Sequence, residues 1–372
     1  SAGSKLSLIR PVMPDHYLGS DSTQFSSRLE SKSPQKVTDI SEVIWVATLN
    51  GYAKYAWGVL AFNILVVVWG AFVRATGSGA GCGNHWPSCN GDVIPWSSTT
   101  ETIIEFTHRV TSGIAFLLVV VLLIWAFRTY PKGHRVRLGA KLAMLFMIIE
   151  TLVGAGLVLF QLVAYNLSVA RAIVMALHLV NTFLLFGALT VTAWWASGGR
   201  PVQLRGQGWM GWLLGLTFVG MLILGASGGI TALGDTLFPA SSLMEGLQDD
   251  LSPTAHFLVR LRIYHPLIAI SVGFYTIIVA YLFNRSPRAS AMTKTVGTIF
   301  TGLYVLQLII GAVNVVLLAP VWMQLVHLFF TDLLVILLVI FLAEAFAQPV
   351  LEHEPAESPK PAGQELLRQS GT

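Results

Sequence analysis

Residues 105–109 read Glu105-Phe106-Thr107-His108-Arg109 and open an apolar run that continues to about Phe127. On a helix, Glu105 and His108 are an i, i+3 pair and share a face. Ionisable groups placed where a membrane helix leaves the interface are costly, which makes each one a functional candidate. A single membrane histidine more simply bridges helices by hydrogen bonds, but this chain repeats the feature three more times.

Composition sets the class. The 372 residues are 54% hydrophobic and 11% charged, with a mean hydropathy of +0.67; soluble domains carry roughly 25% charged residues. This is the composition of a polytopic membrane protein. The formal charge of +4 does not indicate nucleic acid, because the cations fall in loops on one side of a membrane.

Eight apolar runs approach the roughly 20 residues that span a bilayer: 55–74, 102–127, 139–162, 170–195, 209–231, 256–283, 293–318 and 321–346. Arg128, Lys132, Arg135 and Arg137 follow the second run, Arg200 and Arg205 the fourth, and Arg285, Arg288 and Lys294 the sixth. The connections after odd runs hold few cations, and the fifth is acidic, with Asp235, Glu245, Asp249 and Asp250. By the positive-inside rule both termini are cytoplasmic and the long odd loops face outward. Residues 1–54 and 347–372 read as cytoplasmic tails, the first rich in Ser, Asp, Lys and Pro and largely disordered.

Both cysteines lie in the first outward loop, Cys82-Gly-Asn-His-Trp-Pro-Ser-Cys89. An oxidising side permits a disulfide, and Gly83 and Pro87 help the chain turn back for it. Two free thiols are the alternative. Zinc is disfavoured because His85 is the one obvious further ligand.

His108, His178, His265 and His327 fall on the second, fourth, sixth and eighth runs, about six to nine residues from each start. At 1.5 Å per residue they share a depth of roughly 10–14 Å. The spacing also suggests an internal repeat. His108 to His178 is 70 residues and His265 to His327 is 62; Gly70–Gly77 matches Gly225–Thr231, and Glu150 with Gly154 matches Gln307 with Gly311. The fold expected is all-α, with eight transmembrane helices as two parallel-repeat four-helix bundles, 55–198 and 209–346, joined by a cytoplasmic linker at 199–208. Two imidazoles facing each other across a bundle suit an axially ligated haem, whereas a non-haem metal wants three or four convergent ligands.

With these residues in place, GAFVRATGSGAGC, the following WPSC, EFTHR and the Leu-His of the fourth run closely resemble the haem A synthases of the cysteine-bearing bacterial type. The resemblance covers about 55–346. It implies a bacterial cytoplasmic-membrane oxidoreductase that converts the C8 methyl of haem O to the formyl group of haem A for terminal oxidases. It further implies substrate haem between His108 and His178, a resident haem b between His265 and His327, Glu105 as the acid beside the substrate, and Cys82 and Cys89 as the outer-loop pair.

The second half departs from this pattern. Arg262 stands three residues before His265 and Pro266 follows it, so the chemistry is expected in the first half. Arg74, Arg109, Arg260 and Arg262 are candidates for haem propionates or lipid headgroups. An electron acceptor is required, the bilayer is the solvent, and the aromatic helices are compatible with haem O synthase as a partner and with homo-oligomers. Two rival readings are a dihaem electron carrier, which leaves Glu105 without a task, and a parallel-repeat transporter with a His/Glu proton relay.

Overall fold

The computed structural model describes residues 49–96 and 99–347. The expected tails therefore fall almost wholly outside the described residues. Within them the chain is helical: α1 Gly51–Ala75, α2 Thr100–Thr129, α3 Arg135–Leu159, α4 Val169–Ala196, α5 Gly208–Leu237, α6 Leu243–Leu251, α7 Phe257–Arg262, α8 Tyr264–Asn284, α9 Ala291–Val316 and α10 Val321–Phe346. With α7 and α8 taken as one run, eight helices are long and apolar enough to cross a membrane. The protein is a multi-pass membrane protein.

The helix ends follow local chemistry. Asn50 caps α1 by accepting from Ala53 N–H, so the helix begins four residues before the expected span. Thr99, Ser168 and Ser290 cap α2, α4 and α9 in the same way. The break between α7 and α8 falls at Ile263, three residues before Pro266, whose nitrogen has no hydrogen to give the Arg262 carbonyl. The short amphipathic α6, with its acidic residues between leucines, was not expected.

Helices α1–α4 contact one another in a ring, α5, α8, α9 and α10 form a second ring, and α1, α4, α5 and α10 meet between them. Small residues allow the close approaches, as membrane packing requires without a hydrophobic force between helices. A Cβ on Gly139 of α3 would collide with Thr192 Oγ1 of α4. Tyr304 of α9 lies against Gly273 of α8 and donates its hydroxyl to the Ala269 carbonyl at 3.0 Å.

Candidate functional site

His108 of α2, His178 of α4, His265 of α8 and His327 of α10 all line one cavity of about 1590 Å³. Its walls are mostly apolar helix faces, and each imidazole is partly accessible within it. Most ligand pockets occupy roughly 300–1,000 Å³, so this one has room for more than one ordinary ligand.

The His265 and His327 rings stand with centroids 6.4 Å apart and planes at 84°. With metal–nitrogen bonds of about 2 Å, two imidazoles sharing an axial metal have centroids roughly this far apart. Ser227 donates its hydroxyl to the Leu224 carbonyl at 2.8 Å and lies 3.0 Å from His265 Nδ1. Its single proton is thus used, so it accepts from Nδ1–H and leaves the Nε2 lone pair free for a ligand. At His327, the Gln307 amide nitrogen lies 3.1 Å from Nδ1, 2.9 Å from the His327 carbonyl and 2.6 Å from Thr331 Oγ1. The same nitrogen stands 3.4 Å from Nε2, and the amide oxygen is buried with no partner among the described residues.

Glycines make room for three of the rings. A Cβ on Gly70 would lie 2.9 Å from His108 Cε1, on Gly228 3.0 Å from His265 Cε1, and on Gly311 3.2 Å from His327 Cε1. Gly225, matched to Gly70 on sequence, instead packs against Phe183, so the glycine behind His265 lies three residues further on. His108 Nδ1 is buried and has no hydrogen-bond partner among the described residues. Paired imidazoles, glycine cradles and an apolar cavity fit a planar macrocycle with axial iron.

Glu105 is 3% exposed and its two oxygens face different partners. Oε2 accepts the Cys82 backbone N–H at 2.8 Å, while Oε1 accepts from Arg109 Nε at 3.1 Å and Nη2 at 2.5 Å. Arg109 Nη1 reaches on to the carbonyls of His85 and Ser88, each at 2.6 Å. Cys82 and Cys89 form a disulfide with an S–S distance of 2.00 Å. The acid expected beside the substrate is therefore also the anchor of the disulfide loop, and Gly81 presses against the α2 backbone, where a Cβ would meet the Glu101 carbonyl carbon at 2.5 Å. The i, i+4 spacing of Glu105 and Arg109 was readable in the sequence. The loop contact was not.

The four arginines separate. Arg74, Arg109 and Arg262 line the cavity and Arg260 is exposed away from it. Arg74 donates to Ala232 O and Thr236 Oγ1 of α5 and to Gln324 Oε1 of α10. Arg262 pairs with Asp250 at 2.7 Å and Asp235 at 3.4 Å. A further cavity arginine, Arg171, donates to the Ala164 and Asn166 carbonyls. Sequence reasoning gave Glu150 no role beyond marking the repeat, yet it lies 3.4 Å from His178 Nδ1 and accepts from Asn181 and Thr182 at 2.6 Å each. Its position after eight consecutive apolar residues of α3, 142–149, was the available signal.

The profile of the cytochrome oxidase assembly protein family, COX15-CtaA, matches residues 53–339. A Thermus thermophilus protein named protoheme IX farnesyltransferase is 56% identical over 276 residues, which are 74% of this chain and 45% of that protein. Two proteins named heme A synthase are also similar. One, from an Exiguobacterium species, is 34% identical over 46% of this chain and 55% of its own length; the other, from Exiguobacterium sibiricum, is 29% identical over 62% and 74%. The chain thus spans about half the length of the first two of these relatives.

Proposed function

Because the chain belongs to the cytochrome oxidase assembly family COX15-CtaA, we propose that it is a haem A synthase, oxidising the C8 methyl of haem O to the formyl group of haem A. The observation that carries this reading is the set of four imidazoles on alternate spanning helices around one apolar cavity. With water as the oxygen source the reaction balances as CH3 + H2O → CHO + 4 e− + 4 H+, the electrons passing to an acceptor. The farnesyltransferase name belongs to a protein more than twice as long as the stretch matched here.

In this reading the two helix rings are the repeated halves, with both termini cytoplasmic and the disulfide loop outside. His108 and His178 orient the substrate haem, and His265 and His327 hold a resident haem b that supplies a one-electron redox centre. Glu105, one turn before His108, holds or accepts a proton near the substrate, and the Arg109 guanidinium keeps its side chain in place. Trp86 and Pro87 of the disulfide loop line that end of the cavity and restrict water there. Arg74, Arg109 and Arg262, which line the cavity, are the residues that would meet propionates. The cavity is also compatible with delivery of haem O by a membrane partner such as haem O synthase.

One observation favours the dihaem electron carrier instead. That reading left Glu105 idle, and the hydrogen bonds to Cys82 and Arg109 give it a purely structural task. Pigment extracted from cells that make haem O but no haem A of their own decides between them: with this chain expressed, haem A is the result expected, and unchanged haem O alongside bound haem b supports the carrier.

A further inference from the structure

Glu150 and Gln307 stand in matching places and differ only in a carboxylate oxygen replaced by an amide nitrogen. Each is one turn before a glycine, Gly154 or Gly311, and each meets the threonine four residues beyond a histidine, Thr182 beyond His178 or Thr331 beyond His327. The surroundings then diverge. Gly311 backs the His327 ring, whereas a Cβ on Gly154 would meet nothing within 4 Å. His178 Nδ1 instead has Glu150 Oε1 at 3.4 Å, near enough for a charge pair though not aligned as a hydrogen bond, and it has no other partner among the described residues. Asn181 Nδ2 and Thr182 Oγ1 hold the two carboxylate oxygens at 2.6 Å each, and Asn181 also donates to the Phe146 carbonyl at 2.9 Å. The carboxylate is braced by Asn181 and Thr182.

The two side chains impose different chemistry on the imidazoles they face. A carboxylate only accepts, so it selects the tautomer with a proton on Nδ1 and turns the Nε2 lone pair to the cavity. An amide both donates and accepts, and selects neither tautomer by itself. A carboxylate behind a ligating imidazole also raises its basicity and so its donation to the metal. We infer that Glu150 is the positioning residue of His178, fixing Nε2 toward the cavity and making the iron held there harder to reduce than the iron held by His327 with Gln307 behind it. This rests on the reading above that the two imidazole pairs hold haems.

The test is a spectroscopically monitored redox titration of the full-length protein reconstituted with protohaem. Glu150→Gln raises one of the two midpoints and Gln307→Glu lowers the other, each by at least a tenfold change in the oxidised-to-reduced ratio, or about 59 mV for one electron. If both variants keep two haems and neither midpoint moves, the inference is overturned. If Glu150→Gln loses one haem outright, Glu150→Asp is the deciding variant: recovery of that haem supports positioning through the carboxylate, and failure to recover it overturns the inference. Unmoved midpoints with normal haem A formation overturn this inference alone. Shifted midpoints with no haem O conversion in the wild type overturn the synthase reading and leave this one standing.

Discussion

The backbone N–H of Cys82 donates to Oε2 of Glu105 at 2.8 Å, so the disulfide loop and the acid next to His108 are one structural unit. Arg109 closes that unit, binding Glu105 through one edge of its guanidinium and two loop carbonyls through another. Removing the acid therefore acts on chemistry and on the loop together, and variants must separate the two.

Glu105→Gln keeps the size and an oxygen for Cys82 N–H but removes the charge that Arg109 pairs with. It is expected to insert, retain haem b and bind haem O, while haem A formation falls by about 10²–10⁴-fold, the span of acid–base catalysis. Chromatography of extracted pigments, with haem O or a hydroxylated intermediate accumulating, is the check. Wild-type haem A yield would make Glu105 a loop anchor only.

His265→Ala and His327→Ala each remove an axial ligand and leave a void in an apolar slot. Loss of the low-spin haem b spectrum is expected, with a stability loss of about 2–5 kcal/mol from ligand and packing together. Retention of full low-spin haem b by either variant would show that these rings are not its ligands.

Gly70→Ala and Gly154→Ala form a matched pair. A methyl at Gly70 intrudes on His108 at 2.9 Å, while one at Gly154 enters open space. Haem O binding should weaken at least tenfold in the first variant and little in the second, by absorbance titration. Equal effects would mean that the glycine cradle does not position His108.

Asp332 is fully buried on α10, does not line the cavity, and has no partner on either oxygen among the described residues. An unsatisfied buried polar group costs about 1–3 kcal/mol. Asp332→Leu should raise the thermal unfolding temperature with turnover unchanged. A lower unfolding temperature together with lost turnover would assign Asp332 a working role.

Denaturing thiol labelling of Cys82 and Cys89 should require prior reduction, and reduction should loosen the loop that Arg109 holds. Label uptake without reductant would contradict the bridge.

The eight spans and the histidine ladder were legible because apolar run length and a common depth are properties of the sequence itself. The helix ends moved where a cap such as Asn50 added a turn, and α6 was missed because nine residues with little net hydrophobicity resemble a loop. The role of Glu150 was hidden for another reason: its partner His178 is 28 residues away on the next helix, and only the packing of α3 against α4 brings them together. The glycine behind His265 is Gly228 and not Gly225, because several glycines recur along α5 and sequence similarity alone does not say which of them meets the imidazole.

The most direct measurement incubates the purified, detergent-solubilised protein, carrying its resident haem, with haem O and an excess of a one-electron acceptor, and identifies the extracted porphyrin by chromatography and mass. Haem A formed by the wild type, and lost with His108→Ala or His178→Ala while haem b stays bound, is the expected result. Haem O recovered intact from a protein with both haem sites filled would contradict the synthase reading and leave an electron carrier in its place.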